Sequence, residues 1–146
     1  MPANLGGAVP PMSAITIPAA IVDEIKAHAL SEAPNECCGM LGGAGTRVTS
    51  RYALRNLSPS PETRYSAAPE DIFVTMRKMR LAAQELVAIY HSHPRGRPYP
   101  SATDIDLAYY PEIAYLIVAL TPAPEIAAFR IVKRFVAKVE IVIQNE

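Results

Sequence analysis

Apolar residues recur at two different periods along the chain, and each period predicts a different kind of element. Helical spacing over 18–33 predicts an amphipathic helix, because apolar residues three or four positions apart share one face. Its apolar positions are Ile21, Val22, Ile25 and Ala29. A second helix is predicted over 69–84, with an apolar side formed by Ile72, Phe73, Met76 and Met79. A third, short helix is predicted over 101–109.

Short apolar or alternating runs between these helices predict strands. The predicted strands are 15–17, 36–41, 47–57, 86–93, 115–121, 126–132 and 135–143, with a short further one at 64–67. Residues 1–13 are rich in proline, glycine and alanine, which predicts a flexible N-terminal tail. Helices mixed with strands that mostly form hairpins predict a single α+β domain over 14–146 with a mixed sheet.

Composition and charge exclude several functions. The chain has 14 basic and 14 acidic residues, so nothing draws it generally to nucleic acid or to an anionic membrane. Its longest strongly apolar run, 113–120, is shorter than the roughly 20 residues that span a bilayer. The first basic residue is Lys26, unlike in a secretory signal. The adjacent Cys37 and Cys38 form no disulfide framework, which favours a cytoplasmic location; we expect both to be small buried residues.

The candidate chemistry is concentrated in the segment YHSHPRGRPYPSATD, from Tyr90 to Asp104. Alternate residues of a strand point to the same side, so His91 and His93 can share one metal ion. If a helix begins near Ser101, Asp104 lies in its first turn and can add a carboxylate oxygen. Two nitrogens and one oxygen suit zinc, and a catalytic zinc site keeps its fourth position for water.

Two further residues complete a candidate hydrolase. Glu36 directly precedes the apolar run CCGML, where a charge is costly to bury. From there it can act as a general base that takes a proton from a zinc-activated water and passes it to a leaving amine. Ser101 can donate a hydrogen bond to the oxyanion of a tetrahedral intermediate.

Structural alternatives exist for these residues. His-x-His also occurs on strands that bind no metal. Ser101-x-x-Asp104 matches a helix capping box, which is compatible with catalysis because the Ser101 oxygen can accept while its proton is donated. Asp106 is an alternative ligand that we expect to face solvent, and we expect His28 at the surface or at a helix edge. The loop over 95–99 either is solvated or contacts substrate.

Glu36, the segment HSHP and, after six residues, Ser101-x-x-Asp104 together resemble the JAMM/MPN+ (Mov34/MPN/PAD-1) zinc metalloprotease family. That family's motif is a distant Glu followed by His-x-His-Pro-x6-Ser-x-x-Asp. The segment APNECCGMLGG is similar to the family's first motif, and the similarity extends from Ile15 to the C-terminus. The segments IYHSH, YPSATD and AYLIVAL look most like compact prokaryotic members of the CysO–cysteine peptidase type.

This resemblance implies a cytidine-deaminase-like MPN fold, in which helices flank a curved mixed sheet with zinc at one strand end. It implies one zinc per chain held by His91, His93 and Asp104, with Glu36 as acid and base and Ser101 assisting at the oxyanion. The implied reaction is hydrolysis of an amide bond at the C-terminal tail of a ubiquitin-like, sulfur-carrier protein. We expect that tail to add to a sheet edge between the loops 58–68 and 95–99.

Other functions stay open at this stage. A non-catalytic MPN scaffold is one, although the complete ligand set weighs against it. A zinc hydrolase like a DNA-repair-associated relative is another, although only the histidine loop is similar. A zinc nucleobase deaminase would need His-x-Glu and Cys-x-x-Cys, which this chain lacks. The sequence leaves open the leaving group, the need for a partner, and whether the chain forms a homodimer.

Overall fold

The computed structural model describes residues 12–145, which form an α+β fold. Its strands are β1 (Ala14–Pro18), β2 (Cys38–Ala44), β3 (Arg47–Leu54), β4 (Glu85–His93), β5 (Ala114–Ala119), β6 (Glu125–Val132) and β7 (Phe135–Gln144). Its helices are α1 (Ala19–Glu32), α2 (Pro69–Leu81) and α3 (Ala102–Asp106). Most of the predicted tail lies outside the described residues, so the tail and the domain boundary at 14 stay predictions. None of the described helices is long and apolar enough to cross a membrane.

The sheet is mixed, as predicted, and it curves until it closes on itself. Its strand order is β1-β3-β2-β4-β5-β6-β7, and β1 also pairs in parallel with β7. The β4–β5 pair is parallel, while the pairs of β2 with β3 and β4 are antiparallel. On its other side β1 meets β3 at one residue pair, Thr16 with Arg47. Closure is therefore thinnest at the β1–β3 seam.

The first helix is confirmed by the structure. Its buried residues are Ile21, Val22, Ile25 and Ala29, as the helical period predicts. They belong to one hydrophobic cluster with residues of β1, β2, β4 and β5. The helix follows Pro18 and ends at Glu32, two residues before Pro34. This face and the surrounding strands therefore bury one common core.

The second helix is confirmed, but its predicted apolar side is partly wrong. Phe73 is 68% exposed and Met76 is 41% exposed. The buried positions are instead Thr75 and Met79, with Ile72 half-buried beside them. Because α2 lies on the outer side of a sheet, it buries only a narrow stripe against Cys38, Met40 and Leu54. The adjoining apolar positions remain in solvent.

The strand predicted over 36–41 is displaced in the structure. It begins at Cys38 and runs through the glycines to Ala44, with a bulge between Gly42 and Gly43. A side chain at Gly43 would collide with the Arg47 carbonyl, so glycine permits this close approach. Glu36 therefore precedes the sheet, and other contacts must hold it in place.

Several predicted elements are shorter in the structure, among them the second helix, which ends at Leu81. The third strand ends at Leu54, the short strand at 64–67 is reduced to one bridge between Asn56 and Ala67, and α3 covers only Ala102–Asp106. The chain from 55 to 68, which we call the 55–68 loop, is consequently irregular apart from that bridge. It lies between β3 and α2, and its Pro61 carbonyl accepts a hydrogen bond from the Glu36 amide.

Candidate metal and hydrolytic site

The fourth strand holds two histidines at its carboxyl end. His91 is paired with Cys38 of β2 and Ile117 of β5, and it is 1% exposed. His93 is the last residue of the strand and is half-buried. Between them, the Ser92 hydroxyl accepts a hydrogen bond from the Cys37 amide at 2.8 Å. The pleat thus directs both imidazoles to one side and fastens the strand to the segment after Glu36.

Three ligand atoms converge at this strand end. The Nε2 atoms of His91 and His93 lie 3.1 Å apart. Asp104 Oδ2 lies 3.1 Å from the first and 3.0 Å from the second. The helix cap explains how the carboxylate arrives there. Asp104 occupies the first turn of α3, and its Oδ2 accepts a hydrogen bond from the Ser101 amide at 2.9 Å.

The hydrogen bonds of His93 favour a proton or a metal ion within this triangle. Its Nδ1 donates to the Arg97 carbonyl oxygen at 2.8 Å, as a metal-binding histidine commonly does with its second nitrogen. In the neutral ring, a lone pair of Nε2 then faces a carboxylate oxygen. Two such atoms repel each other unless a proton or a metal ion lies between them.

The spacing of the donors fits a small divalent ion. Zinc bonds of about 2.0–2.2 Å place tetrahedral ligand atoms roughly 3.3–3.6 Å apart. The observed separations of 3.0–3.1 Å are a few tenths of an ångström shorter. His91, His93 and Asp104 can therefore hold one metal ion with small adjustments, and the two nitrogens and one oxygen are donors that zinc accepts.

Electrostatics keeps the Asp104 carboxylate ionised at this strand end. Burial raises the pKa of Asp104, but hydrogen bonds from His91 and His93 outweigh it and hold that pKa well below its usual range. Burial lowers the pKa of His91 below its ordinary value, against the opposing effect of Asp104. For His93 burial also lowers the pKa, yet the bonds to Asp104 and Arg97 raise it overall. The carboxylate is thus ionised throughout the physiological range.

Glu36 lies beside the triangle in a different electrostatic environment. It is 5% exposed, and its Oε1 is buried without a hydrogen-bond partner among the described residues. Burial raises its pKa to about 7; His93 opposes this rise and Asp104 adds to it. A carboxyl group with such a pKa can both accept and release a proton near neutrality.

Glu36, His93 and Ser101 line one open cleft of about 310 Å³. The remaining lining residues are Glu62, Thr63, Pro94, Arg95 and Gly96. Arg95 and Glu62 form an exposed ion pair at 3.5 Å, which joins the loop after β4 to the 55–68 loop. The candidate base, one candidate ligand and the candidate oxyanion donor thus share the same space.

The predicted capping box is confirmed. Ser101 Oγ accepts a hydrogen bond from the Asp104 amide at 3.1 Å, which completes the reciprocal pair. Ser101 is exposed, and its hydroxyl proton stays available to an acceptor in the cleft. Ser101 can therefore cap α3 and donate at once, while its part in catalysis stays a prediction.

The structure places the other candidates away from the triangle. Asp106 is exposed, as predicted, and pairs with Arg134. His28 is half-buried on α1, where its Nδ1 lies 2.7 Å from the Tyr90 hydroxyl. Cys37 and Cys38 are buried, and burial raises their pKa to about 11 and about 12, so both are neutral thiols. These features agree with structural roles.

Sequence reasoning missed two residues of the 55–68 loop. Tyr65 stacks on the ring of His91, with the centroids 4.7 Å apart and an interplanar angle of 27°. Asn56 donates a hydrogen bond to the carbonyl oxygen of Glu36 at 3.0 Å. Asn56 has a local sequence signal, because Asn two residues before Ser58-Pro favours an Asx turn. Nothing in the sequence links Tyr65 to His91.

Comparison with solved structures supports the fold. A solution structure of a protein from Desulfitobacterium hafniense is 36% identical, with a TM-score of 0.81 over 90% of this chain and 94% of that one. A JAB1/MPN domain protein from Archaeoglobus fulgidus has a TM-score of 0.59 at 17% identity, covering 89% of this chain and 99% of that one. At that identity the second likeness concerns the fold alone.

Three proteins with assigned names are similar in sequence to this chain. A desampylase from Haloferax volcanii is 34% identical, and the match spans 72% of this chain and 80% of the desampylase. A probable TtuB-protein conjugate cleaving protease from Thermus thermophilus is 38% identical over 69% of this chain and 67% of the protease. The CysO-cysteine peptidase of Mycobacterium tuberculosis is 35% identical, covering 81% and 83%. The family model described as prokaryotic homologs of the JAB domain matches residues 18–132, so the chain belongs to the JAB/MPN family.

Proposed function

We propose that this protein is a zinc-dependent peptidase or isopeptidase that hydrolyses an amide bond at the C-terminus of a ubiquitin-like protein. One observation carries the proposal. Three ligand atoms converge within 3.1 Å of one another at a cleft open to solvent, beside a buried oxygen of Glu36 that has no hydrogen-bond partner among the described residues. Relatives named for cleaving TtuB conjugates and CysO-cysteine, and for desampylation, support this substrate class.

His91, His93 and Asp104 would hold the zinc ion. Bound there, zinc would supply Lewis acidity to the scissile carbonyl group and to the attacking water. The residues of the chain contribute orientation: Arg97 fixes the tautomer of His93, and the Ser101 amide fixes the Asp104 carboxylate. Such outer contacts typically change metal affinity or activity by about 10–100-fold when they are lost.

Glu36 would move the proton. Its carboxylate takes a proton from the attacking water as the carbon–oxygen bond forms. It then delivers that proton to the leaving nitrogen as the carbon–nitrogen bond breaks, so the residue ends the cycle ionised. A pKa near 7 suits both directions of transfer.

Ser101 would assist at the carbonyl oxygen, because its hydroxyl lines the cleft with Glu36 and His93. A donor held in place before charge develops lowers the barrier without a reorganisation cost. The extended tail would lie between the 55–68 loop and the loop over 94–100, which meet at the Arg95–Glu62 ion pair. A substrate that enters there must displace this weak, exposed contact.

The proposal is tested with ubiquitin-like sulfur-carrier proteins that carry different C-terminal groups. One substrate carries a single C-terminal cysteine, a second a short peptide extension, and a third a lysine isopeptide. Zinc-loaded protein should reduce the mass of at least one of them by its leaving group, which mass spectrometry detects. Intact mass for all three substrates, with zinc bound, would contradict a hydrolase and favour a non-catalytic scaffold.

A further inference from the structure

We infer that Asn56 is a positioning residue for the reaction. Its side-chain amide fixes the backbone at Glu36, the proposed base, and the backbone on each side of Tyr65, whose ring stacks on His91. This inference rests on the proposed function. Asn56 lies two residues after the end of β3, at the start of the 55–68 loop. It is half-buried, and it does not line the cleft. It therefore acts on the site through other residues.

Both ends of the Asn56 amide are occupied. Its Oδ1 accepts hydrogen bonds from the Ser58 amide at 2.9 Å and the Ser66 amide at 3.0 Å. Its Nδ2 donates to the Glu36 carbonyl oxygen at 3.0 Å and to the Arg64 carbonyl oxygen at 3.2 Å. A longer contact of 3.5 Å reaches the Pro61 carbonyl oxygen. Only an amide supplies two acceptor sites and two donors at one position.

These bonds matter for Glu36 because β4 holds only the Cys37 end of this segment, through the Cys37 amide and the Ser92 hydroxyl. The second strand begins at Cys38, so no ladder hydrogen bond fixes the Glu36 peptide units. The amide and the carbonyl of Glu36 itself are held by the 55–68 loop: the Glu36 amide donates to the Pro61 carbonyl oxygen at 2.7 Å, and the Glu36 carbonyl oxygen accepts from Asn56. Loosening the loop releases the residue that must meet the attacking water.

The same side chain sets the position of Tyr65. Asn56 bonds to the carbonyl of Arg64 and to the amide of Ser66, the residues on each side of the tyrosine. The Tyr65 ring then stacks on His91 at 4.7 Å. The Asn56 amide thus connects Glu36, the proposed base, to Tyr65, which stacks on the candidate metal ligand.

Substitution of Asn56 by aspartate tests the donor end of the amide separately from the acceptor end. Asn56→Asp keeps the acceptor for Ser58 and Ser66 but turns an oxygen towards the Glu36 and Arg64 carbonyls. Asn56→Ala removes both ends. The matched control is Gln84→Ala, which removes a second side-chain amide hub. Gln84 accepts from Tyr52 at 2.7 Å and donates to Ser50 at 2.7 Å, and it contacts none of the cleft residues.

The first readout is a division between kcat and KM on zinc-loaded proteins. Both Asn56 variants should lower kcat by about 10–100-fold, because a displacement near 1 Å costs up to about 100-fold. Zinc content should stay within about twofold of wild type, and KM should change less than kcat, although the loosened loop also borders the proposed tail groove. Gln84→Ala should lower Tm comparably while kcat stays within about twofold. A wild-type kcat in Asn56→Asp, or an equal loss in Gln84→Ala, would overturn the inference.

The second readout needs no activity. Hydrogen exchange of the Glu36 amide should accelerate at least about tenfold in both Asn56 variants and stay unchanged in Gln84→Ala. Unchanged exchange in the Asn56 variants would overturn the inference whatever the kinetics show. If wild type cleaves no substrate, the proposed function fails, and the exchange result still decides whether Asn56 holds Glu36.

Discussion

The two sides of the cleft are built in different ways. On one side, the last residue pairs of β4 and the cap of α3 position His91, His93 and Asp104. On the other, Glu36 stands before β2 and depends on side-chain and loop hydrogen bonds. Regular elements thus fix the candidate metal ligands, while an irregular loop fixes the candidate base. The difference suggests that the ligands resist local change better than the base does.

The two carboxyl groups of the cleft also differ in charge. Burial raises the pKa of Asp104, but hydrogen bonds accepted from the histidines outweigh it and keep that pKa far below its usual range, whereas burial raises the pKa of Glu36 to about 7. Paired carboxyl groups whose pKa values are pushed apart usually have separate roles. Here the ionised carboxylate suits a metal ligand, and the one that titrates near neutrality suits proton transfer.

Removal of a ligand should have the largest effect. Asp104→Ala should reduce bound zinc from one ion per chain to nearly none and abolish hydrolysis, because two imidazoles alone bind zinc weakly. Metal analysis and the cleavage assay measure both. Asp106→Ala is the matched control, since that carboxylate is exposed and pairs with Arg134. Full zinc content in Asp104→Ala would show that the ligand assignment is wrong.

Loss of the base should leave the metal in place. Glu36→Gln should keep one zinc per chain and lower kcat by about 10²–10⁴-fold, the usual contribution of a positioned general base. Glu112→Gln serves as control, because Glu112 is exposed and lies outside the cleft; its kcat should stay within about threefold of wild type. Zinc loss in Glu36→Gln would contradict the separation of base and ligands.

Ser101 both caps α3 and is the proposed hydrogen-bond donor to the oxyanion, and two substitutions separate these roles. Ser101→Ala and Ser101→Gly each remove the hydroxyl, so both should lower kcat by about 10²–10³-fold. Alanine should also cost about 0.5–2 kcal/mol of stability, whereas glycine caps nearly as well as serine. Kinetics and denaturant unfolding measure the two effects. A kcat that falls with alanine but not with glycine would show that only the cap matters.

The pKa of Glu36 predicts a smaller effect on stability in the metal-free protein. Since its folded pKa of about 7 exceeds the reference value of 4.5, the folded state binds more protons between these values. This contribution favours folding below pH 4.5 and is lost as pH rises through 7, by at most about 3 kcal/mol. Unfolding of wild type and Glu36→Gln at pH 5 and 8 tests it. If the unfolding free energies of wild type and Glu36→Gln differ by the same amount at both pH values, this contribution of Glu36 is excluded.

Local sequence patterns predicted much of the side of the cleft that carries the candidate metal ligands. The helical period identified the buried face of α1, and strand alternation placed His91 and His93 on one side. The capping box brought Asp104 back towards them through contacts within four residues. These features depend on neighbours in the chain, so the sequence expresses them directly.

The base side depends on contacts between distant segments. Asn56 reaches Glu36 across 20 positions, and Tyr65 reaches His91 across the loop and α2. The exposure of Phe73 and Met76 likewise follows from the position of α2 outside the sheet. No period or short motif reports where two segments meet in space, so closure of the sheet and the Asn56 hydrogen bonds required the structure.

Zinc removal and restoration in the unaltered protein tests the central claim most directly. Protein stripped by a chelator should lose cleavage of the ubiquitin-like substrate while its fold persists. Activity should return in proportion to added zinc and reach its maximum at one ion per chain. Full activity in the stripped protein, or no activity at one bound zinc per chain, would contradict the account.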